Sequence, residues 1–511
     1  MKRFWLFISG IFMLGGLIIA GLAFLIVLNQ NPIPAKRLTT NMEHMNTVID
    51  KQLSGIKPEV IKGKEHLIKE KSIQELQENI AAGTITYEDI TAYYLYQIKE
   101  TDQIKSGTNA ISEINPNAIH EARKCDESKD NNQQMFGMPI LIKENVNTNN
   151  MPTSAGTVAL KNFIPKDNAP FVNQLKENGA IILGKTNLSE LSYWLDKDAP
   201  SGFSAKNGQT LNPFKPGELS PSGSSSGSAV AMATDLAATS IGTETVGSIV
   251  SPASANSVVG FKPSRQRISN EGVVPISSRL DTVGPITRTV EDALITYNAA
   301  TENQIKISLD KNYLKDKKIG IGIESGSEND VFVDNLTQSL QAMGVKVIQV
   351  EVDSSQIDAD FIMKNDFEAS FTEYLTEYDT PIKTLNELIA FNKRDTHSRI
   401  PYGQDLLQKS LNFKHRDNKK AEKIVKQAED ELNKLLDEYQ LNALVSMNEK
   451  NVLLSAVAGA PELSVPFGLI DEIPVGATFY CAPDMDEELI KIGYSFEQHT
   501  ELREIPSLKK D

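Results

Sequence analysis

The sequence predicts an α/β fold, and three observations predict it. Residues 317–352 read as a strand–helix–strand unit, with apolar strands at 318–323 and 345–352 around a helical pattern over 331–343 that stops at Gly344. Such a unit demands a parallel strand pair with helices packed on a sheet. Two short apolar runs, Met138-Pro-Ile-Leu-Ile142 and Ala180-Ile-Ile-Leu183, have the length of buried strands. Helical patterns with start signals lie in the same chain. Ser72 with Glu75 forms a capping box, and Thr86 with Asp89 offers a second N-cap before apolar residues at helical spacing over 90–98.

The elements follow in chain order. Residues 4–28 carry no charge and are preceded by Lys2 and Arg3. These 25 residues, at about 1.5 Å each, can cross a hydrocarbon core of about 30 Å with some tilt. The run is longer than a secretory signal core of about 7–15 residues, so it predicts one N-terminal transmembrane helix over 1–28. Pro32, Pro34 and Ala35 keep open the alternative of a body secreted after signal cleavage. The leading charges predict a single-pass cell-membrane protein with an extracytoplasmic body, and Lys36 and Arg37 weigh against that orientation. Residues 29–66 are polar and mixed, a linker or stalk with some helix, and 67–511 form the globular domain. Within it, 171–178 read as helix, 201–228 as a Gly-, Ser- and Asn-rich loop, 229–241 as an Ala-rich helix, and 414–438 as an amphipathic helix with a charged, solvated face.

Composition narrows the function. The 511 residues, 40% hydrophobic, suffice for one large core or two to three domains. A net charge of −15 repels phosphate backbones, so no nucleic-acid partner is expected. Two distant cysteines, Cys125 and Cys481, exclude a disulfide framework and a Cys-rich zinc site, and read as unpaired thiols, with one disulfide between them as the alternative. None of the six histidines lies at metal-ligand spacing to another or in an apolar context. No metal, no cofactor and no Ser-His-Asp triad are therefore predicted.

Two motifs fail on physical grounds. Gly179-Ala-Ile-Ile-Leu-Gly-Lys-Thr186 spells a phosphate-binding loop, but its middle is strand-like, whereas a phosphate cradle needs a flexible loop after the strand. Gly320-Ile-Gly322 follows a strand, but Ser325 stands where a dinucleotide site needs its third glycine.

The chemistry concentrates in Ser220-Pro-Ser-Gly-Ser-Ser-Ser-Gly-Ser-Ala229 and Ile241-Gly-Thr-Glu-Thr-Val-Gly-Ser-Ile-Val-Ser-Pro252. A Ser/Gly run is commonly a linker. This one lies mid-chain between apolar elements and enters an Ala-rich stretch, where backbone amides can cradle an oxyanion and serines beside them can attack. A serine nucleophile needs a base. Lys143, at the end of the apolar run 138–142, qualifies if burial disfavours its ammonium.

These motifs, with Gly137-Met-Pro-Ile-Leu-Ile-Lys-Glu-Asn145, Gly184-Lys-Thr-Asn187, Gly260-Phe-Lys-Pro263 and Ala458-Gly-Ala-Pro-Glu-Leu-Ser-Val-Pro466, resemble in order those of the amidase signature family of serine hydrolases. The resemblance covers roughly residues 70–505. It implies the amidase signature fold, a large mixed sheet with helices on both faces. It also implies a cofactor-free Ser-Ser-Lys triad: Lys143 as base, Ser224 as bridging serine on a cis peptide, and Ser248 as nucleophile 24 residues further on. Ser225, Ser226 and Ser228 align with non-nucleophilic positions. Backbone amides around Thr245, Val246, Gly247 and Ser248 would form the oxyanion hole.

Family members often have Gly-Gly-Ser-Ile-Arg where this chain has Val246-Gly-Ser-Ile-Val250. The missing arginine argues against the tRNA-dependent amidotransferase branch, and the pattern is similar to bacterial peptide amidases. Val246 restricts the backbone where Gly or Asp is common, and Glu144 replaces the commoner Asp. The expected activity is hydrolysis of C–N bonds in peptide C-terminal amides or other small linear amides. The alternatives are an amidotransferase-like glutaminase, which would channel ammonia to a partner, and a non-catalytic, membrane-tethered scaffold. The expected partners are the amide substrate and, through the N-terminal helix, a membrane; nothing in the sequence identifies a protein partner.

Overall fold

A computed structural model describes residues 39–128, 133–323 and 331–507. Its centre is one mixed sheet of eleven strands. In chain order the strands are β1 (Ile111–Ile114), β2 (Pro139–Lys143), β3 (Ile181–Thr186), β4 (Phe203–Ser204), β5 (Gly208–Gln209), β6 (Thr239–Glu244), β7 (Val259–Lys262), β8 (Thr282–Thr287), β9 (Lys318–Ile323), β10 (Lys346–Glu351), β11 (Ala443–Met447), β12 (Glu462–Ile470) and β13 (Ile473–Tyr480). β4 and β5 pair apart from the rest, and the large sheet runs β1-β3-β2-β6-β8-β7-β12-β13-β11-β9-β10. β2 lies parallel to both β3 and β6, and β9 parallel to β10 and β11. β6–β8, β8–β7, β7–β12 and β12–β13 are antiparallel. Every residue of β2, β3 and β6 is buried, which is why their sequences are continuous rather than alternating.

The strand–helix–strand unit forms as predicted, with its helix at Val331–Ala342 between β9 and β10. Both caps form too. Ser72 and Glu75 close a full capping box on Ile73–Ala81, and Thr86 and Asp89 close another on Tyr87–Gln97. The amphipathic helix runs Asn418–Tyr439 and buries Ala421, Ile424, Ala428, Leu432 and Leu436.

Residues 229–241 depart from expectation. The helix is Ser226–Ala233, and the chain then turns into the central strand β6. The small residues of Thr239-Ser-Ile-Gly-Thr-Glu244 are buried on both faces, so no period of two marks them as strand. The helices Thr39–Leu53 and Pro58–Lys64 fall in the segment read as a stalk, and Met45, Ile49, Leu53 and Ile61 sit in the main core. The Gly179–Thr186 motif falls largely on β3, a strand and not a loop.

The expected transmembrane helix needs correction. No helix among the described residues is long and apolar enough to cross a membrane. The Asn418–Tyr439 helix has the length, at 22 residues, but carries Lys419, Lys420, Glu422 and Lys423 in its first turns. The run 1–28 on which the expectation rests lies outside the described residues, as do the positions named for signal cleavage. The single-pass anchor, the membrane as a partner and the cell-membrane location are accordingly set aside.

Candidate active site

β2 ends on Lys143, whose side chain is fully buried. Its Nζ lies 2.7 Å from Ser224 Oγ, 2.9 Å from Thr243 Oγ1 and 3.1 Å from the Thr243 carbonyl. Asn145 Nδ2 donates to Thr243 Oγ1 at 3.0 Å and holds that hydroxyl in place. A neutral amine can donate to the two Thr243 oxygens and keep its lone pair for the Ser224 hydroxyl. Burial pushes Lys143 down to about 7, against the opposing pull of Asp281 and Glu244.

The Gly223–Ser224 peptide is cis. The helix that follows, Ser226–Ala233, packs so tightly that a Cβ on Gly227 would collide with the carbonyl oxygens of Ala110 and Asn187. Only glycine fits there, which explains the second glycine of the motif. The competing serines are buried and engaged. Ser225 Oγ donates to the Thr243 carbonyl at 3.1 Å, Ser226 Oγ to the Ser222 carbonyl at 2.5 Å, and Ser228 Oγ to the Ile241 carbonyl at 3.0 Å.

Ser248 follows β6 on a turn whose Gly247 has φ +76°, a left-handed conformation that favours glycine. The Ser225 N–H donates to the Ser248 carbonyl at 3.2 Å, which ties this turn to the Ser224 loop. Ser248 is half-buried, unlike the three serines above. Lys143, Ser224 and the Ser248 backbone are thus brought together from three stretches of chain.

Sequence reasoning missed the groups that shape this turn. Glu244 Oε1 accepts the Gly247 N–H at 2.7 Å, and Oε2 accepts those of Ile249 at 2.6 Å and Val250 at 3.2 Å. The Gly247 amide is therefore committed to Glu244, and Thr245, Val246 and Ser248 are left as candidate oxyanion donors. Val246, half-buried, packs against the cluster that includes Leu280 and Leu454. Asp281 accepts Thr245 Oγ1 at 2.6 Å and the Ile276 and Ser277 amides at 2.8 and 3.0 Å. Burial lifts Asp281 to about 6. Its only sequence signal is its place just before β8, whose Thr282 pairs with Glu244. Glu144 receives Lys206 Nζ at 2.5 Å and Asn207 Nδ2 at 2.5 Å, and so belongs to a neighbouring ion network.

The family model described as Amidase matches residues 89–446. The chain is 40% identical to a solved amidase family protein from Bacillus anthracis str. Ames, with a TM-score of 0.88, covering 92% of this chain and 98% of that one. It is 33% identical to a solved peptide amidase from Stenotrophomonas maltophilia, with a TM-score of 0.81, covering 86% and 99%. It is also 28% identical to a glutamyl-tRNA(Gln) amidotransferase chain of Thermoanaerobacter pseudethanolicus, over 84% of this chain and 96% of that one.

Proposed function

Since the chain belongs to the amidase family of hydrolases, we propose that it cleaves carboxamide C–N bonds through a relay of Lys143, Ser224 and Ser248. The observation that carries this is the 2.7 Å contact of Lys143 Nζ with Ser224 Oγ in a site whose burial lets the amine be neutral near pH 7. Lys143, neutral, takes the proton of Ser224 as Ser224 takes that of Ser248. Ser248 Oγ then attacks the amide carbonyl carbon. Amides among Thr245, Val246 and Ser248 stabilise the developing oxyanion. On collapse the C–N bond breaks, and the leaving nitrogen takes from the relay the proton that came from Ser248. Water then attacks the acyl–Ser248 ester, gives its proton to the relay, and releases the carboxylic acid and Ser248. The steps balance without a cofactor.

The substrate class we propose is the peptide C-terminal amide or another small linear amide. Its support is the 33% identity to a peptide amidase over nearly that protein's full length. The deciding experiment treats the full chain with a fluorophosphonate probe, maps the adduct, and measures ammonia release from a dipeptide amide. Labelling at Ser248 that disappears in Lys143→Ala, together with ammonia release, is the expected result. Labelling elsewhere removes Ser248 as nucleophile, and a folded chain that neither labels nor releases ammonia is a binding protein on an amidase fold.

A further inference from the structure

Two serines outside the relay bridge the two stretches of chain that carry it. Ser222 precedes Ser224 in the Ser/Gly run, and Ser251 follows Ser248. Their Oγ atoms lie 2.6 Å apart, a hydrogen bond in which either can donate. Both residues are half-buried, as Ser248 is.

Ser222 makes this contact from an unfavourable backbone. Its φ is +58°, in the left-handed region where a Cβ crowds the following carbonyl oxygen and glycine is free of that cost. Neighbouring serines hold the conformation. The Ser222 N–H donates to Ser220 Oγ at 3.0 Å, and the Ser222 carbonyl accepts Ser226 Oγ at 2.5 Å. A serine kept where glycine would sit more easily points to a task for its side chain, and the partner its hydroxyl meets is Ser251. That residue lies in the first turn of the helix Val250–Ala255, and its N–H donates to the Gly247 carbonyl at 2.8 Å. Ser251 therefore rides on the turn that carries Ser248.

The stretch 221–225 is tied to 248–256 at both ends and in the middle. Asn256 Nδ2 donates to the Pro221 carbonyl at 2.8 Å, and the Ser225 N–H to the Ser248 carbonyl at 3.2 Å. Those outer ties fix Pro221 and Ser225. The hydroxyl pair holds what lies between them, the segment 222–224 with the bridging serine.

We propose that Ser222 and Ser251 are positioning residues whose hydroxyls act as one clasp, setting the approach of Ser224 to Ser248 for proton transfer between them. Such a transfer needs the two reacting oxygens at hydrogen-bond distance, so a small shift of the 222–224 segment enters the rate directly. The inference deepens the amidase reading above and rests on it for the roles of Ser224 and Ser248.

The test makes Ser222→Gly, Ser251→Ala and the double variant in the full chain. It reads the rate of fluorophosphonate labelling at Ser248, kcat and KM for a dipeptide amide, and the melting temperature. S222G removes the hydroxyl but also relieves the backbone, so its melting temperature should stay within about 2 °C of wild type. Labelling and kcat should nevertheless fall about fivefold to tenfold, with KM changed less than about twofold. S251A should lose as much rate. The double variant should lie within about twofold of either single one, because the second substitution removes a partner already lost. Wild-type rates in both folded single variants overturn the proposal. Losses that multiply in the double variant overturn it as well, since the hydroxyls then act separately. A raised KM with unchanged kcat also overturns it, by assigning the hydroxyls to substrate binding. If S251A does not fold, S222G decides alone, through its rate at an unchanged melting temperature. A wild-type chain that does not label at Ser248 sinks the amidase reading and the clasp with it, whereas wild-type labelling with unchanged variants sinks the clasp alone.

Discussion

Two lysines stand on neighbouring strands and are matched in almost every physical property. Lys143 ends β2, Lys185 lies in β3, and Lys185 pairs in register with Ile142. Both are fully buried, and burial pushes both down to about 7. They differ in what the amine touches. Lys143 Nζ meets the Ser224 hydroxyl, which leads on to the turn of Ser248. Lys185 Nζ meets the Val146 carbonyl at 2.9 Å and Thr153 Oγ1 at 2.5 Å, and Thr153 Oγ1 donates onward to that same Val146 carbonyl. One amine faces a serine hydroxyl beside the Ser248 turn, and the other closes a local bracket. Burial alone makes a lysine neutral near pH 7; its partners decide whether that becomes chemistry.

The difference can be broken most directly by deleting each amine. Lys143→Met should lower kcat/KM for a dipeptide amide by about 10³-fold or more, the scale of losing a positioned general base. Lys185→Met should stay within about tenfold in kcat/KM and instead cost about 1–3 kcal/mol of stability, since two buried hydrogen bonds are lost. Equal losses of activity, measured on folded variants, would put Lys185 in the reaction and end the comparison. A pH profile sharpens it next. The base must be neutral, so kcat/KM should fall as pH drops through about 7, following Lys143. That acid limb should persist in Lys185→Met, although the second lysine titrates in the same range. A limb that vanishes with Lys185 would reassign it. The smallest effect is expected from Thr243→Val, which removes the hydroxyl at 2.9 Å from Lys143 Nζ but leaves the carbonyl. About a tenfold fall in kcat with KM little changed would mark loss of orientation rather than of binding.

Legibility in the sequence follows the range of the interactions. The capping boxes at Ser72 and Thr86 and the strand–helix–strand unit were legible because their signals lie within a few residues of one another. Motif order singled out Lys143, Ser224 and Ser248 as candidates, and the structure places the first two in contact. β6 was hidden inside an Ala-rich stretch because a strand buried on both faces has no alternation to read. Asp281 and Glu462 were hidden for another reason. Asp281 has no local motif, and Glu462 sat unremarked within the Ala458–Pro466 motif. Asp281 reaches Thr245 from 36 residues away and Glu462 meets Lys262 of a distant strand, contacts that only the assembled sheet provides.

The sequence by itself determined the α/β class and the capped helices, since each depends on local pattern. Only the tertiary structure decided which of two buried lysines faces a serine and which serines are tied up. It alone decided that the Gly247 amide belongs to Glu244. Those outcomes depend on desolvation and on hydrogen bonds between strands far apart in the chain. Neither exists until the sheet has assembled.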